Sequence, residues 1–218
     1  MISLPARRIF IFVSTFVFTN SFIAAQTRLN FFAGPQISTA SYVVKEENQS
    51  STFKPGFQLG MGAKIEFESH LFFSPSIYYS LKGYKVTLNK SAMLPDPAAV
   101  DNDVNVHTIE TAFLLQYDFN KNPSHFFIKL GPSLDFQISG HEKFNRVDGT
   151  SVSRKMKYGF ANYGRYAASA VLHAGYEMRN SIFFYAYYEQ GLTNLDNADT
   201  GPTIKYRVAG ITIGKYIK

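Results

Sequence analysis

An all-β, eight-stranded antiparallel up-and-down transmembrane β-barrel is the fold this 218-residue sequence predicts. Three observations predict it. Eight segments alternate oily and polar residues with period two, the pattern of a strand with two unlike faces. The connections between them alternate long and short, as in bacterial outer-membrane barrels. The face opposite the oily one carries charges and glycines, which suits a narrow polar lumen better than a dry core.

The first segment is RLNFFAGPQISTASYVV, where Leu29, Phe31, Ala33, Pro35 and Ile37 share a face. The second, FQLGMGAKIEF, sets Phe57, Leu59, Met61, Ala63, Ile65 and Phe67 against Gln58, Gly60, Gly62, Lys64 and Glu66. In the third, Leu71, Phe73, Pro75, Ile77, Tyr79 and Leu81 align. After Gly83 the apolar phase passes to Tyr84, Val86 and Leu88, and a one-residue shift at a glycine predicts a bulge. The fourth aligns Ile109, Thr111, Phe113, Leu115, Tyr117 and Phe119, and the fifth aligns alternate residues from Phe126 to Ile138. The sixth, RYAASAVLHAGYEM, reads as a strand although its alanines also suit a helix. The seventh, IFFYAYYEQGL, is aromatic on both faces, and the eighth opposes Ala209, Ile211 and Ile213 to Gly210, Thr212 and Gly214. Each is long enough for a tilted strand of about 9–11 residues to cross a bilayer.

The long gaps hold KEENQSST, NKSAMLPDPAAVDND, HEKFNRVDGTSVSRKMKYGFANYG and NLDNADTGP, and the short ones ESH, NKNPSH and RNS. An even strand count leaves both termini at the short-turn end, so the expected orientation has the termini periplasmic and the long loops extracellular. Tyr78, Tyr79, Tyr117, Tyr176, Tyr187 and Tyr188 are candidates for the aromatic girdle, with Tyr78 and Tyr187 equally suited to the lumen by parity.

Residues 1–25 read as a secretory signal peptide: Arg7 and Arg8 precede an apolar run, and the small pair Ala24 and Ala25 follows it. The barrel domain is then residues 26–218. Without Arg7 and Arg8 the formal charge falls from +6 to +4. With Lys and Arg scattered along the chain, nucleic acid is not an expected partner. The chain has no cysteine, so stability rests on hydrogen bonds and packing.

The motifs FFAGPQIS, KPGFQLGMG, YYSLKGYKV, IETAFLLQYDF, FFIKLGPSLDF and YYEQGLTNL occur in that order over most of the chain. In them the sequence resembles the PorT-like outer-membrane β-barrel family of Bacteroidetes. The resemblance implies an eight-stranded barrel inserted by the barrel-assembly machinery; many members lack an assigned activity, and some resemble secretion-system components. The chain departs from the usual aromatic terminus of such barrels by ending GKYIK, with Tyr216 its nearest aromatic.

No catalytic, cofactor or metal site is expected. An outer-membrane lipid-modifying enzyme would need a nucleophile, a base and an acid in contact. Ser169, His173 and Glu177 share a face, but neighbours in that set lie ~13 Å apart along a strand. His70, His107, His125, His141 and His173 lack ligand spacing. DPAAVDND lacks the order of a calcium loop, and no nucleotide fingerprint occurs. Eight strands leave an interior that side chains fill, so a narrow pore or a secretion-system accessory barrel ranks second. The expected lumen network is Lys64, Glu66, Glu110, Gln116, Lys129, Asp135, His173 and Glu177. The leading function is binding or adhesion through the long loops, with an envelope role as its plainer form. The candidate surface is Phe144, Arg146, Arg154, Lys155, Lys157, Tyr158, Phe160 and Tyr163. Expected partners are outer-membrane lipid, the assembly machinery, and an unidentified extracellular or envelope protein or ligand.

Overall fold

The computed structural model describes residues 27–160, 162–198 and 201–217; the expected signal peptide lies outside them. Eleven strands follow in order: β1 (Arg28–Val44), β2 (Glu47–Asn48), β3 (Ser50–Thr52), β4 (Lys54–Glu68), β5 (Leu71–Thr87), β6 (Asp101–Asp118), β7 (His125–Asn145), β8 (Ser151–Lys155), β9 (Tyr166–Glu177), β10 (Ile182–Gly191) and β11 (Thr203–Ile217). The antiparallel path β1-β4-β5-β6-β7-β9-β10-β11 returns to β1, with Leu29 opposite Ile217 and Val43 opposite Thr203. Each long strand is therefore paired on both edges, which removes the open edge that an isolated sheet presents. Short β2, β3 and β8 pair with β1, β5 and β7 at the long-loop end. The β1–β2 turn has two central residues, Lys45 and Glu46, both at positive φ, the backbone of a two-residue type I′ hairpin.

The alanine-rich sixth segment is strand β9, and its residues alternate between the two faces. Outward positions carry the expected oily set, among them Leu59, Leu115, Leu130 and Ile211, all exposed. Tyr79, Tyr117, Tyr176 and Tyr188 share this outward face, whereas Tyr78 and Tyr187 are buried inside. Gly175 faces inward where the wall is crowded. A Cβ there would lie 2.4 Å from the Phe184 carbonyl and 2.6 Å from the Phe127 ring, so only glycine fits beside both.

Toward the long-loop end the chemistry of the two faces inverts while parity holds. On β11 the inward residues are Tyr216, Gly214, Thr212 and Gly210 and then Val208, Tyr206 and Ile204; the outward ones are Ile213, Ile211 and Ala209 and then Arg207, Lys205 and Thr203. On β5, Ser74, Tyr78, Ser80, Lys82, Tyr84 and Val86 all point inward. The bulge expected at Gly83 is therefore absent: β5 and β6 stay in register from Lys82↔Val106 through Tyr84↔Val104. The apparent phase change comes from the interior turning apolar. Register shifts do occur between β4 and β5, at Glu66 and Glu68, and between β6 and β7, where His107 faces Ser139 and Thr108 faces Gln137. The second leaves Ile138 and Ser139 both exposed.

Residues 141–155, expected as loop, are mostly strand: β7 continues to Asn145 and returns through β8. The expected binding residue Phe144 is consequently buried, at 0% exposure, because it alternates inward with Glu142 and Gly140. Tyr163 is also buried, at 2%, with its hydroxyl between Glu142 and Asn102. Both are corrected to interior packing residues.

The inversion on β11 generates a test. In bilayers, Ile211→Arg costs ~2–4 kcal/mol if that position meets the hydrocarbon midplane. Arg207→Leu, one turn of alternation beyond the belt, changes stability by less than ~0.5 kcal/mol. Urea unfolding of the two variants in lipid vesicles measures the difference.

Candidate functional site

Two features are candidates for function: the lumen, and the cap into which the long connections fold. The lumen side chains form layers. At the short-turn end, Lys64 Nζ lies 2.6 Å from Asp118 Oδ2 and 3.0 Å from Glu177 Oε2. Arg28 pairs with Glu177, His125 Nε2 lies 2.9 Å from Asp118, and Gln116 Nε2 donates to Asp118 Oδ1 at 2.7 Å. Above this sits an aromatic layer. Lys129 Nζ donates to Ser74 Oγ at 3.1 Å and lies 5.2 Å from the Phe127 ring centroid. His173 stacks on Tyr185 at 4.3 Å with the planes 7° apart. The gap among Asn30, Gln58, Lys129 and His173 has a volume of about 20 Å³, room for about one water.

The next layer is a charge knot. Lys82 Nζ sits 2.9 Å from Glu110 Oε1, 2.9 Å from Asp135 Oδ2 and 2.6 Å from Glu189 Oε1, and all four groups are buried. Oxygens of the three acids lie within 4.8 Å of one another, a spacing that suits a cation, and the ammonium of Lys82 takes that place. Glu110 and Asp135 face each other directly across β6 and β7. Like charges so placed repel, which makes Lys82 the element that holds the knot together.

Above the knot the interior is an apolar core of Tyr42, Tyr84, Val86, Val104, Val106, Phe144 and Ile204, and the loops close over it. Arg154 Nε donates to Glu142 Oε1 at 2.7 Å and its Nη2 to the Pro95 carbonyl at 2.7 Å. Arg146 Nη2 donates to Asp96 Oδ2 at 2.8 Å. Tyr163 Oη donates to Glu142 Oε2 at 2.9 Å, and burial first, then the Glu142 charge, raises its hydroxyl pKa. Backbone bonds from Val100 and Val147 tie residues 88–100 to the β7–β8 hairpin. Gly164 N to Leu195 O and Asn197 N to Asn162 O join the β8–β9 connection to the β10–β11 connection.

The sequence-derived network is thus divided. Lys64, Gln116 and Glu177 belong to the lower layer, Lys129 and His173 to the aromatic layer, and Glu110 and Asp135 to the knot. Glu66 departs from it: near the end of β4 it is exposed at the short-turn mouth, past the last closed layer. Lys82, Glu189, Arg28 and His125 were missing from the expected network. Lys82 shares parity with Ser80 and Tyr78, so reading one face straight through Gly83 would have found it. Of the loop set, Arg146 and Arg154 are half-buried clips, Tyr158 lies beneath Arg165 at 4.8 Å, and Lys155, Lys157 and Phe160 are exposed.

Replacing Lys82 by Met strands three buried carboxylates and costs ~3–5 kcal/mol. Adding Glu110→Gln, Asp135→Asn and Glu189→Gln recovers most of that loss, as read by urea midpoints of the refolded barrels. A second expectation concerns Asp96. The Ala98 backbone N–H, with Arg146 beside it, holds its carboxyl below the usual range. Because folding lowers this pKa, the clip is fully formed above the unfolded value of ~3.9 and is lost as pH falls through the folded value. The Ala98 amide NMR signal in micelles therefore titrates with a midpoint below ~3.9, and Arg146→Gln moves that midpoint upward.

Comparison with known proteins gives the site its family. Residues 19–197 match the family described as the outer membrane protein beta-barrel domain. No curated protein matches the sequence. Among solved structures the chain is similar to Ail, the attachment invasion locus protein of Yersinia pestis, at 14% identity over 87% of this chain and 98% of that chain, with a TM-score of 0.46. It is similar to Neisserial surface protein A at 12% identity, over 85% and 96%, TM-score 0.42. It is similar to OprG from Pseudomonas aeruginosa at 11% identity, over 86% and 95%, TM-score 0.43. With its family match spanning most of the sequence and its antiparallel strands oily on the outside, the chain belongs to the outer membrane protein beta-barrel domain family.

Proposed function

We propose that this chain is a small, non-enzymatic, eight-stranded transmembrane barrel of the outer membrane that acts by binding through its cap, within the PorT-like branch its motifs resemble. The mature chain begins at Gln26. The short turns and both termini face the periplasm, and the capped end faces outward. The single observation that carries the reading is a cap held by its own core and clips that still presents large apolar side chains to solvent. Phe160 is 85% exposed and Val147 79%, among the exposed cations Lys155, Lys157 and Arg165. Holding loops in place before a partner arrives lowers the ordering cost of binding, and binding groups gather on loops carried by a rigid scaffold.

The filled layers of the lumen favour binding over conduction, since a solute would have to displace both the charge knot and the apolar core above it. Contact with lipid around the belt and insertion by the assembly machinery are part of this reading. A surface or envelope protein is the partner expected at the cap.

Two measurements test it. Because the chain lacks cysteine, a Phe160→Cys variant offers one thiol. A membrane-impermeant maleimide labels it on intact cells if the cap faces outward, and only after lysis if the orientation is reversed. In cells cross-linked at the surface, replacing residues 157–160 with Gly and Ser removes the captured partner while heat-shifted migration on gels persists. Unchanged capture, or ion conductance by the wild-type barrel in planar bilayers, contradicts the binding reading.

A further inference from the structure

The top row of the oily belt and the underside of the cap meet beside β7 and β9. Tyr166 stands opposite Phe136 with ring centroids 5.4 Å apart, and both are exposed on the outward face. Above Phe136 on β7 only Ile138 is outward and apolar; Ser139, His141 and Lys143 follow. This row is therefore the upper edge of the belt on that wall. Directly beyond it is a cleft of about 430 Å³ lined by Tyr158, Gly159, Phe160, Arg165, Tyr166 and Asn197.

Among the described residues, no carboxylate lines this cleft. Arg165 is exposed, lies over the Tyr158 ring, and gives one Nη1 hydrogen bond, at 3.3 Å, to the Gln137 carbonyl. Lys157 precedes Tyr158 in sequence and is exposed, as is Lys155 two residues earlier. The Asn197 amide donates to the Gly159 carbonyl at 3.4 Å, which ties the far wall of the cleft to the 159–163 turn. The cleft thus has two unlike ends: a lower one continuous with the exposed rings of the belt, and an upper one carrying Arg165, with no acid among its described lining residues.

We infer that this cleft holds the headgroup of an outer-leaflet lipid whose phosphate is not neutralised by its own choline or amine, with Arg165 on the phosphate and Tyr166 against the first carbons of the acyl chain. A guanidinium matches phosphate geometry and charge. A ring at the interface accommodates the passage from chain to headgroup. A soluble anion would use only the upper end, and a neutral lipid only the lower. The inference rests on the reading that the belt lies in a bilayer with the cap outside it, but it does not require a protein partner at the cap.

The test uses the full barrel refolded in octyl glucoside micelles, a detergent without phosphate, and native mass spectrometry to count retained lipid. The probe is dimyristoylphosphatidic acid, compared with dimyristoylphosphatidylcholine and with inorganic phosphate as competitor. The wild-type barrel retains one phosphatidic acid in preference to phosphatidylcholine, and millimolar phosphate does not displace it. Arg165→Gln lowers retention about five- to tenfold, and Tyr166→Ser lowers it while leaving heat-shifted migration intact. A paired Lys205→Gln, Arg207→Gln variant on β11 retains lipid as the wild type does.

Equal retention by Arg165→Gln and wild type overturns the site. Equal loss in the β11 variant overturns it in favour of diffuse attraction around the belt, and full displacement by inorganic phosphate overturns the lipid in favour of a free anion. Failure of the binding function shows instead as unchanged partner capture with lipid retention intact, so the two readings fail separately.

Discussion

Every backbone N–H and C=O at membrane depth must find its partner within the protein, because hydrocarbon offers none. The pairing of β1 with β11 meets that requirement, since without it two full strand edges would stand open. Closure then dictates the rest. Side chains fill the interior layer by layer, so inward residues must pack against one another, and polar ones must satisfy each other. The Lys64 and Lys82 networks, with the aromatic layer between them, are the form that satisfaction takes here.

The barrel outruns its oily belt. Strands such as β7 continue past the last outward apolar residues, and there the surroundings are polar while the interior is largely apolar, its buried Glu142 held by Arg154 from the cap. On β5, β6 and β11 the alternation is unchanged, and on β7 it is reset once at Ile138 and Ser139; the residues assigned to each face nonetheless exchange character. Val104, Val106, Ile204 and Tyr206 fill the interior, while Asn105, Lys143 and Arg207 face out. The lower part is built as a membrane protein, polar within and oily without, and the upper part as a soluble β-barrel. Lys82 and its three acids mark the boundary, which explains how one lysine comes to sit between a polar lumen and a dry core.

Much of this was legible in the sequence, because period two survives whatever surrounds the strand. The second and fifth segments show it without interruption, and their oily residues lie outward as the alternation requires. What the sequence hid was the exchange of environment. At Gly83 the apolar residues change parity, and a local reading takes this for a bulge, whereas the strand runs straight and the interior changes. Phe144 falls in HEKFN, which reads as the start of a long loop because its neighbours are polar, although above the belt those neighbours face out and the apolar residue faces in. Lys82 is hidden by the apparent bulge at Gly83. Pairing among Arg146, Asp96, Arg154 and Glu142 links residues about 12 to 50 apart in sequence, and no local pattern announces such clips. The lipid cleft likewise joins Tyr158 and Arg165 of the β8–β9 connection to Asn197 of the β10–β11 connection.

The central claim is that the surroundings change from hydrocarbon to water along a strand whose parity does not change. The most direct measurement places a single nitroxide label, through an introduced cysteine, at Ile213, Ile211, Ala209, Arg207 and Lys205 in turn. Each barrel is reconstituted in lipid vesicles and its relaxation by oxygen and by a water-soluble nickel chelate is compared. The account predicts oxygen dominance from Ile213 through Ala209 and nickel dominance at Arg207 and Lys205. Nickel dominance at all five positions, or oxygen dominance at all five, would contradict it.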